Sequence, residues 1–397
     1  MAILAFTAAL LALSNPINAA PSHGRSRPCV SFDIDVPVTA NNSIYDIPRV
    51  DNNIDAVDWI WALESWTSPS IADRIKGVKK VEDTFTINAQ LCVPNDAKKR
   101  NILQIATHGF AFDKTYWDSE VEPEKYSYVD AALHAGYSIL TYDRLGVGKS
   151  SKPDAYDVVQ GPVQLEILKE ITLLARSGNL ATKMSVKNDD DRHVGSISIP
   201  DFDKIVLVGH SLGSAVTIGV LSQYGELVDG AVSTGLITHG KLGQIGQQAF
   251  GLEHAKSHDK RRFHDRGSGY LVQATESNVQ QIFFKKGHFD SRMLEYGEQI
   301  KETGTVGEFL SLGAVLANPA PNYKGPLLFA LAEYDFGVCA GNCTGSYDLD
   351  AIKSDMFTAA SDVKVHIQPG SGHALTMHRN ATGHYQAIFD YLGEKGL

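Results

Sequence analysis

The 397-residue chain has four cysteines, no gathered basic charge and no apolar stretch long enough to cross a bilayer, and each shortage removes a class of protein. Lys and Arg number 36 against 46 Asp and Glu, a formal net charge of −10, and the longest basic runs are Lys98-Lys99-Arg100 and Lys260-Arg261-Arg262. Nucleic-acid binding needs basic side chains collected on one surface, so no nucleic-acid partner is expected. Such a charge balance acts mainly on solubility. Cys29, Cys92, Cys339 and Cys343 have neither the spacing nor the His or Cys companions of a zinc site. The apolar run from Ile3 to Leu13 falls well short of the ~20 residues of a spanning helix, so no stable membrane anchor is expected. No internal repeat or low-complexity tract is present.

What is present is a 43% hydrophobic content, enough for a large core, in a chain long for one plain domain. An α/β domain carrying an insertion accounts for that length. The organising stretch is Ile205-Val206-Leu207-Val208-Gly209-His210-Ser211-Leu212-Gly213-Ser214-Ala215. A short continuous run of Ile, Val and Leu reads as a buried parallel strand. It breaks into Gly-x-Ser-x-Gly and resumes in the helix-compatible pattern Ala215, Val216, Ile218, Gly219, Val220, Leu221. A strand that turns this sharply into a helix strains the backbone at the serine, and Gly209 and Gly213 supply the small neighbours the turn needs. The Ser211 hydroxyl then stands at the carboxyl edge of the sheet. The Leu212 amide faces the place where a substrate oxygen would become negative.

Here the chain resembles the α/β-hydrolase family, in its serine-nucleophile branch, from about Asn101 to the C-terminus. The resemblance implies a mostly parallel central sheet flanked by helices, with a helical cap inserted over the site. Further motifs follow in the family's order. The apolar run Ile102–Ala106 ends in Thr107-His108-Gly109-Phe110, where the family has a His-Gly pair followed by the second oxyanion donor. Carried over, that donor is the Phe110 amide, with Gly109 letting the backbone approach and His108 acting as scaffold. Asp143-Arg144-Leu145-Gly146-Val147-Gly148-Lys149-Ser150 is similar to the family's Asp-Arg-x-Gly-x-Gly-x-Ser loop, and Asp143 and Arg144 read as structural. Nucleotide readings of the same loop fail, because Ser151 replaces the last glycine of one fingerprint and Asp143 the first glycine of the other.

A serine hydroxyl needs a base, and the base needs an acid to fix its tautomer. The family's chain order is Ser, acid, His. After the strand Pro326–Leu331, Ala332-Glu333-Tyr334-Asp335 offers two carboxylates, and the family's pattern favours Asp335 over Glu333. After the strand Val363–Ile367, the small-residue loop Gln368-Pro369-Gly370-Ser371-Gly372-His373-Ala374 presents His373 as the base. His366, His378 and His384 are its competitors. Between the strands at Val228–Ile237 and Pro326–Leu331 lie far more residues than a βα connection needs, and this excess, 239–323, is read as the cap. Phe250, Phe263, Tyr270, Phe283, Phe284, Phe289 and Tyr296 are its candidate lining residues, each more at home in cap packing. His254, His258, His264 and His288 are too irregularly spaced for a metal site. The acidic run Asn188-Asp189-Asp190-Asp191 does not have the spacing of an EF-hand loop.

Upstream, Met1–Ala20 reads as a secretory signal peptide, although no Lys or Arg precedes its apolar run. An irregular arm is expected over 21–80, with a short helix near Ile54–Glu64, and the hydrolase core over 81–238 and 324–397. Four cysteines allow three pairings. Cys339 with Cys343 is favoured by closeness in sequence, and Cys29 with Cys92 would then tie the arm to the domain. Asn41, Asn342 and Asn380 are N-glycosylation sequons. Sequons and a wrapped arm are similar to secreted fungal members of the family. The resemblance implies a secreted serine hydrolase acting on carboxylic esters through an acyl-enzyme, with a small-molecule ester or amide substrate and no cofactor or metal. The alternatives are an aminopeptidase of the proline-releasing type, gripping a free amine through cap carboxylates such as Glu253, Asp259, Asp265 or Glu276; a lactonase, cyclase or acyltransferase using the same triad; and a non-catalytic binding protein. The sequence does not assign an oligomeric state.

Overall fold

The structure is a computed structural model that describes residues 27–95, 98–186, 198–240 and 247–397. The signal peptide over 1–20 and the acidic run at Asn188–Asp191 lie outside the described residues. In chain order the strands are β1 (Cys29–Tyr45), β2 (Ile75–Cys92), β3 (Ile102–Thr107), β4 (Ser138–Tyr142), β5 (Lys204–His210), β6 (Gly230–Thr234), β7 (Leu252–His254), β8 (Tyr270–Gln273), β9 (Gly304–Thr305), β10 (Pro326–Ala332) and β11 (Asp362–Gln368). Eight of them form one sheet in the order β1-β2-β4-β3-β5-β6-β10-β11. From β4 to β11 every neighbouring pair is parallel, and β1 and β2 are the antiparallel exceptions. A parallel sheet must be covered on both faces, and its strands therefore read as unbroken apolar runs. β10, Pro-Leu-Leu-Phe-Ala-Leu-Ala, is buried at every residue.

The longer helices include α1 (Asn53–Glu64), α2 (Tyr128–His134), α3 (Gly161–Arg176), α4 (Leu212–Tyr224), α5 (Glu276–Phe283), α6 (Ser291–Ile300), α7 (Val306–Leu316) and α8 (Ala381–Glu394). Of these α2, α3, α4 and α8 pack on the large sheet and α7 on α3 and α4, whereas α1 lies against β7, α5 against β8 and α6 against α5. α3 turns Val163, Ile167 and Ile171 inward, as their spacing predicts. α4 is buried through its first ten residues, because it lies in the middle of the helical layer between α3 and α7.

The segment read as an irregular arm differs from that expectation. Residues 29–45 form a 17-residue strand paired along its whole length with β2. Val30, Phe32, Ile34, Val36, Val38 and Ala40 are buried on one face. This is the period-two alternation of a half-exposed antiparallel strand, obscured in the sequence by Asp33, Asp35, Thr39 and Asn41 on intervening positions. The arm is thus the edge of the main sheet, closed by a Cys29–Cys92 disulfide at its open end. Cys339 and Cys343 form the second disulfide. The cap is helical only in part, since β7, β8 and β9 make a small antiparallel sheet beside α5 and α6. Among the described residues no helix is long and apolar enough to cross a membrane.

Candidate active site

The turn from β5 into α4 places Ser211 at the sheet's edge with φ 52° and ψ −117°, a left-handed backbone that only surrounding structure can hold. Its N–H donates to the Thr234 carbonyl of β6 at 2.8 Å. Gly213 is obligatory, because a Cβ there would lie 2.1 Å from the Thr107 carbonyl oxygen. The end of β3 and the start of α4 are therefore in backbone contact, which brings the two candidate oxyanion segments together. A Cβ on Gly109 would lie 3.0 Å from Ser211 Cβ. Among the described residues no protein acceptor takes the amide N–H of Phe110 or of Leu212.

The loop carrying Phe110 is held from behind. The Arg144 N–H donates to His108 Nε2 at 3.1 Å, so the ring proton sits on Nδ1 and is donated to the Gly109 carbonyl at 2.9 Å. Burial, with the Arg144 charge adding to it, holds His108 well below the usual imidazole range, leaving it neutral. Arg144 also donates from Nε to the His108 carbonyl at 3.1 Å and from Nη2 to the Gly109 carbonyl at 3.3 Å. Its Nη1 pairs with Glu308 of α7, which the sequence reading did not single out. Asp143 accepts from the Lys114 and Lys149 amides and from Lys114 Nζ.

At the ends of β10 and β11 the structure brings Asp335 and His373 together. Asp335 Oδ2 lies 2.7 Å from His373 Nδ1, and Oδ1 accepts the Val338 N–H at 2.9 Å. Both side chains are buried. Glu333 is turned elsewhere, its Oε2 accepting the Gly370 N–H at 2.8 Å. The Cys339–Cys343 loop closes around the same segment, with the Cys339 and Gly341 amides donating to the Asp335 carbonyl and the Cys343 amide to that of Glu333. The His373 ring lies 4.9 Å from the ring of His210, the residue preceding Ser211.

The competing histidines occupy other positions. His366 Nε2 meets Gln368 Oε1 at 2.9 Å, and His384 is buried in α8. His378 accepts at Nε2 from the Gly372 and Lys285 amides, tying the His373 loop to the cap. His210 is a further residue that motif reading missed. Its ring stacks on Tyr116 at 4.4 Å, and its Nδ1–H donates to Thr234 Oγ1 at 3.0 Å while that hydroxyl donates to the Gly209 carbonyl. Only its position inside the elbow marked its place, because its partners come from distant segments.

Of the cap aromatics, Phe283 lies 5.6 Å from the His373 ring, and Phe250 lies 5.5 Å from Phe110. Phe309 of α7 lies 4.4 Å from Phe110. Tyr270 donates to the Pro153 carbonyl, and Tyr296 to that of Thr115 at 3.5 Å. Phe284 and Phe289 surround His378, and Phe263 lies under Arg262 and Arg266. His254 meets Ser257, His258 meets Glu253, His264 meets the Arg261 carbonyl and His288 lies against Tyr334. Among the described residues no group of three His, Cys, Asp or Glu side chains is placed to hold a metal ion.

The fold is shared with solved structures. The bromoperoxidase from Bacillus anthracis superposes with a TM-score of 0.50 at 16% identity, covering 78% of this chain and 96% of that one. A putative aryl esterase from Burkholderia cenocepacia gives a TM-score of 0.48 at 17% identity, covering 78% and 95%. No curated protein matches the chain in sequence. Residues 105–382, from β3 to the start of α8, match the profile of the Alpha/beta hydrolase family, and the chain belongs to that family.

Proposed function

We propose that the protein is a secreted serine hydrolase that cleaves carboxylic esters through an acyl-enzyme. Ser211 Oγ attacks the ester carbonyl and passes its proton to His373 Nε2. Asp335 holds the opposite ring nitrogen, fixing the tautomer and steadying the imidazolium. The Phe110 and Leu212 amides receive the oxyanion, and Leu212, as the first residue of α4, adds the positive end of a helix. His373 returns the proton to the leaving alcohol, and water then repeats the sequence on the acyl-enzyme. The observation that carries this reading is the 2.7 Å Asp335–His373 contact, with the His373 ring 4.9 Å from that of His210, the neighbour of the strained Ser211, together with two amides that find no protein acceptor among the described residues.

An ester is favoured over a free-amine substrate by the surroundings. Phe110, Phe250, Phe283 and Phe309 make them apolar. The carboxylates needed to grip an amine are engaged elsewhere: Glu253 with His258, Asp259 with the Arg261 and Arg262 amides, Asp265 with Arg266. Glu276 is exposed. Export, with residues 1–20 as the signal, is supported by two disulfides, which persist in oxidising compartments. Asn41 and Asn342 are exposed for glycosylation, whereas the Asn380 amide donates to the Pro369 carbonyl. The arm, core and cap boundaries at 21–80, 81–238 with 324–397, and 239–323 are part of the same proposal, with β1 assigned to the core sheet.

The test compares the protein with its Ser211→Ala variant using a fluorophosphonate probe, nitrophenyl esters of rising chain length and aminoacyl-nitroanilides. Labelling lost in the variant, with ester turnover in the unaltered protein, is expected. Turnover of the anilides alone would replace the ester reading with the peptidase one, and an unlabelled, inactive protein would leave a binding role.

A further inference from the structure

We propose that the outer surface of the N-terminal segment docks on an uncharged lipid–water interface, placing the site described above against an aggregated ester phase. Of the nine large hydrophobic side chains exposed among the described residues, eight fall between Ile44 and Val78, so the exposure is a concentration and not a scatter. On α1, Ile54, Val57 and Trp61 are 77%, 55% and 70% exposed. Their spacing of three and four residues puts them on one stripe. Trp66, two residues past the helix, is 96% exposed, and Ile71 and Ile75 follow. Arg74 joins these parts into one surface, donating from Nη1 to the Asp46 carbonyl at the end of β1 and from Nη2 to the Ala62 carbonyl of α1.

The other face of the same helix leads to the site. Trp59 is buried with its ring 5.6 Å from Phe309, and Phe309 lies 4.4 Å from Phe110. An apolar path therefore runs from the exposed tryptophans through the helix to the candidate oxyanion loop. Tryptophan pairs a large apolar ring with one polar N–H, and it concentrates where hydrocarbon meets water.

Charge selects the kind of interface. Over residues 44–80 six acids, Asp46, Asp51, Asp55, Asp58, Glu64 and Asp73, stand against five bases, Arg49, Arg74, Lys76, Lys79 and Lys80. The Arg74 guanidinium is turned to backbone carbonyls, and Lys76 pairs with Asp46 at 3.1 Å. So near-even a balance gives neither an anionic nor a cationic bilayer a net attraction. A neutral or zwitterionic surface asks for none, and the apolar side chains alone suffice to hold it.

The docking stands on the exposed surface alone, whereas the consequence for substrate supply rests on the ester-hydrolase reading. The experiment uses the full secreted protein and a Trp61→Ser/Trp66→Ser variant with phosphatidylcholine and phosphatidylglycerol vesicles. The protein is expected to float with phosphatidylcholine vesicles, with tryptophan emission moving to shorter wavelength, and to bind phosphatidylglycerol no more tightly. The variant is expected to keep its circular dichroism and its rate on a dissolved short-chain nitrophenyl ester, while losing about tenfold or more in vesicle partitioning. With an ester titrated through its solubility limit, the rate should rise at the limit for the protein and not for the variant. A protein that stays in solution, a variant that floats equally well, or a dimer that the variant dissolves would each overturn the proposal. Vesicle binding by a protein inactive on every ester would uphold the docking and remove the hydrolase reading.

Discussion

The Arg144 guanidinium and the Glu308 carboxylate form an ion pair with side chains 0% and 1% exposed. Arg144 comes from the loop after β4 and also grips the His108 and Gly109 carbonyls. Glu308 comes from the first turn of α7, where it completes a capping box with Thr305 and accepts from Gln164 of α3. The loop carrying the Phe110 amide is thus clamped to the helix by which the chain returns from the cap.

Replacing Glu308 with Gln keeps the shape and leaves the Arg144 charge buried without a counter-ion. Losing one partner of a buried pair costs about 3–5 kcal/mol. Urea unfolding of Glu308→Gln should show a loss of that size, and fluorophosphonate labelling of the folded fraction should slow. An unchanged labelling rate would mean that the clamp serves stability alone.

Gly304 faces the Phe110 ring so closely that a Cβ would lie 1.6 Å from its Cε2 atom. The ring has little room to retreat, with Phe250 at 5.5 Å and Phe309 at 4.4 Å. Overpacking of this kind costs about 1–3 kcal/mol. Gly304→Ala is expected to lower kcat more than it raises KM, because the Phe110 amide shifts. Adding Phe110→Leu should restore part of the loss, and steady-state kinetics on the single and double variants would show it.

Burial lowers His378 from 6.5 to about 4 and His384 from 6.5 to about 3, and holds His108 and His210 well below the ordinary range. An imidazole whose folded pKa is depressed binds protons more readily when unfolded, so stability is fully present above pH 6.5 and lost as pH falls towards 3 to 4. Across that window His378 is worth roughly 3 kcal/mol and His384 roughly 5 kcal/mol. The thermal midpoint should therefore fall steadily as pH is lowered from 6.5 towards 4. A flat profile would contradict the burial of neutral histidines.

The two disulfides should separate function from stability. Cys339 and Cys343 are four residues apart, a short loop worth about 2 kcal/mol, but they close the segment that carries Asp335. Cys29 and Cys92 are 63 apart, worth about 4 kcal/mol, and sit at the end of β1 and β2. Cys339→Ser/Cys343→Ser is expected to depress kcat with a small change in unfolding midpoint. Cys29→Ser/Cys92→Ser should do the reverse, as denaturation and ester kinetics would show.

Local order was legible wherever neighbouring residues decide it. β5, β10 and β3 are written as aliphatic runs because both faces of a parallel sheet are covered, and Ser211 between its glycines marks a turn that few other residues could make. The β1 alternation was also present, but half of its positions face water, and their Asp, Thr and Asn residues read as loop. Two carboxylates two residues apart, Glu333 and Asp335, are alike in composition and are separated only by which loop each one meets.

By itself, then, the sequence determined the buried parallel strands, the elbow turn and the family, since these depend on side-chain period and on backbone conformations confined to a few residues, whereas β1 read as an irregular arm and β7, β8 and β9 as part of a helical cap. Tertiary structure alone decided that Arg144 meets Glu308 across 164 positions, that His210 stacks on Tyr116, and that the tryptophans of α1 divide between core and solvent. Such pairings depend on the mutual placement of elements distant in the chain, and no local pattern of residues encodes that placement.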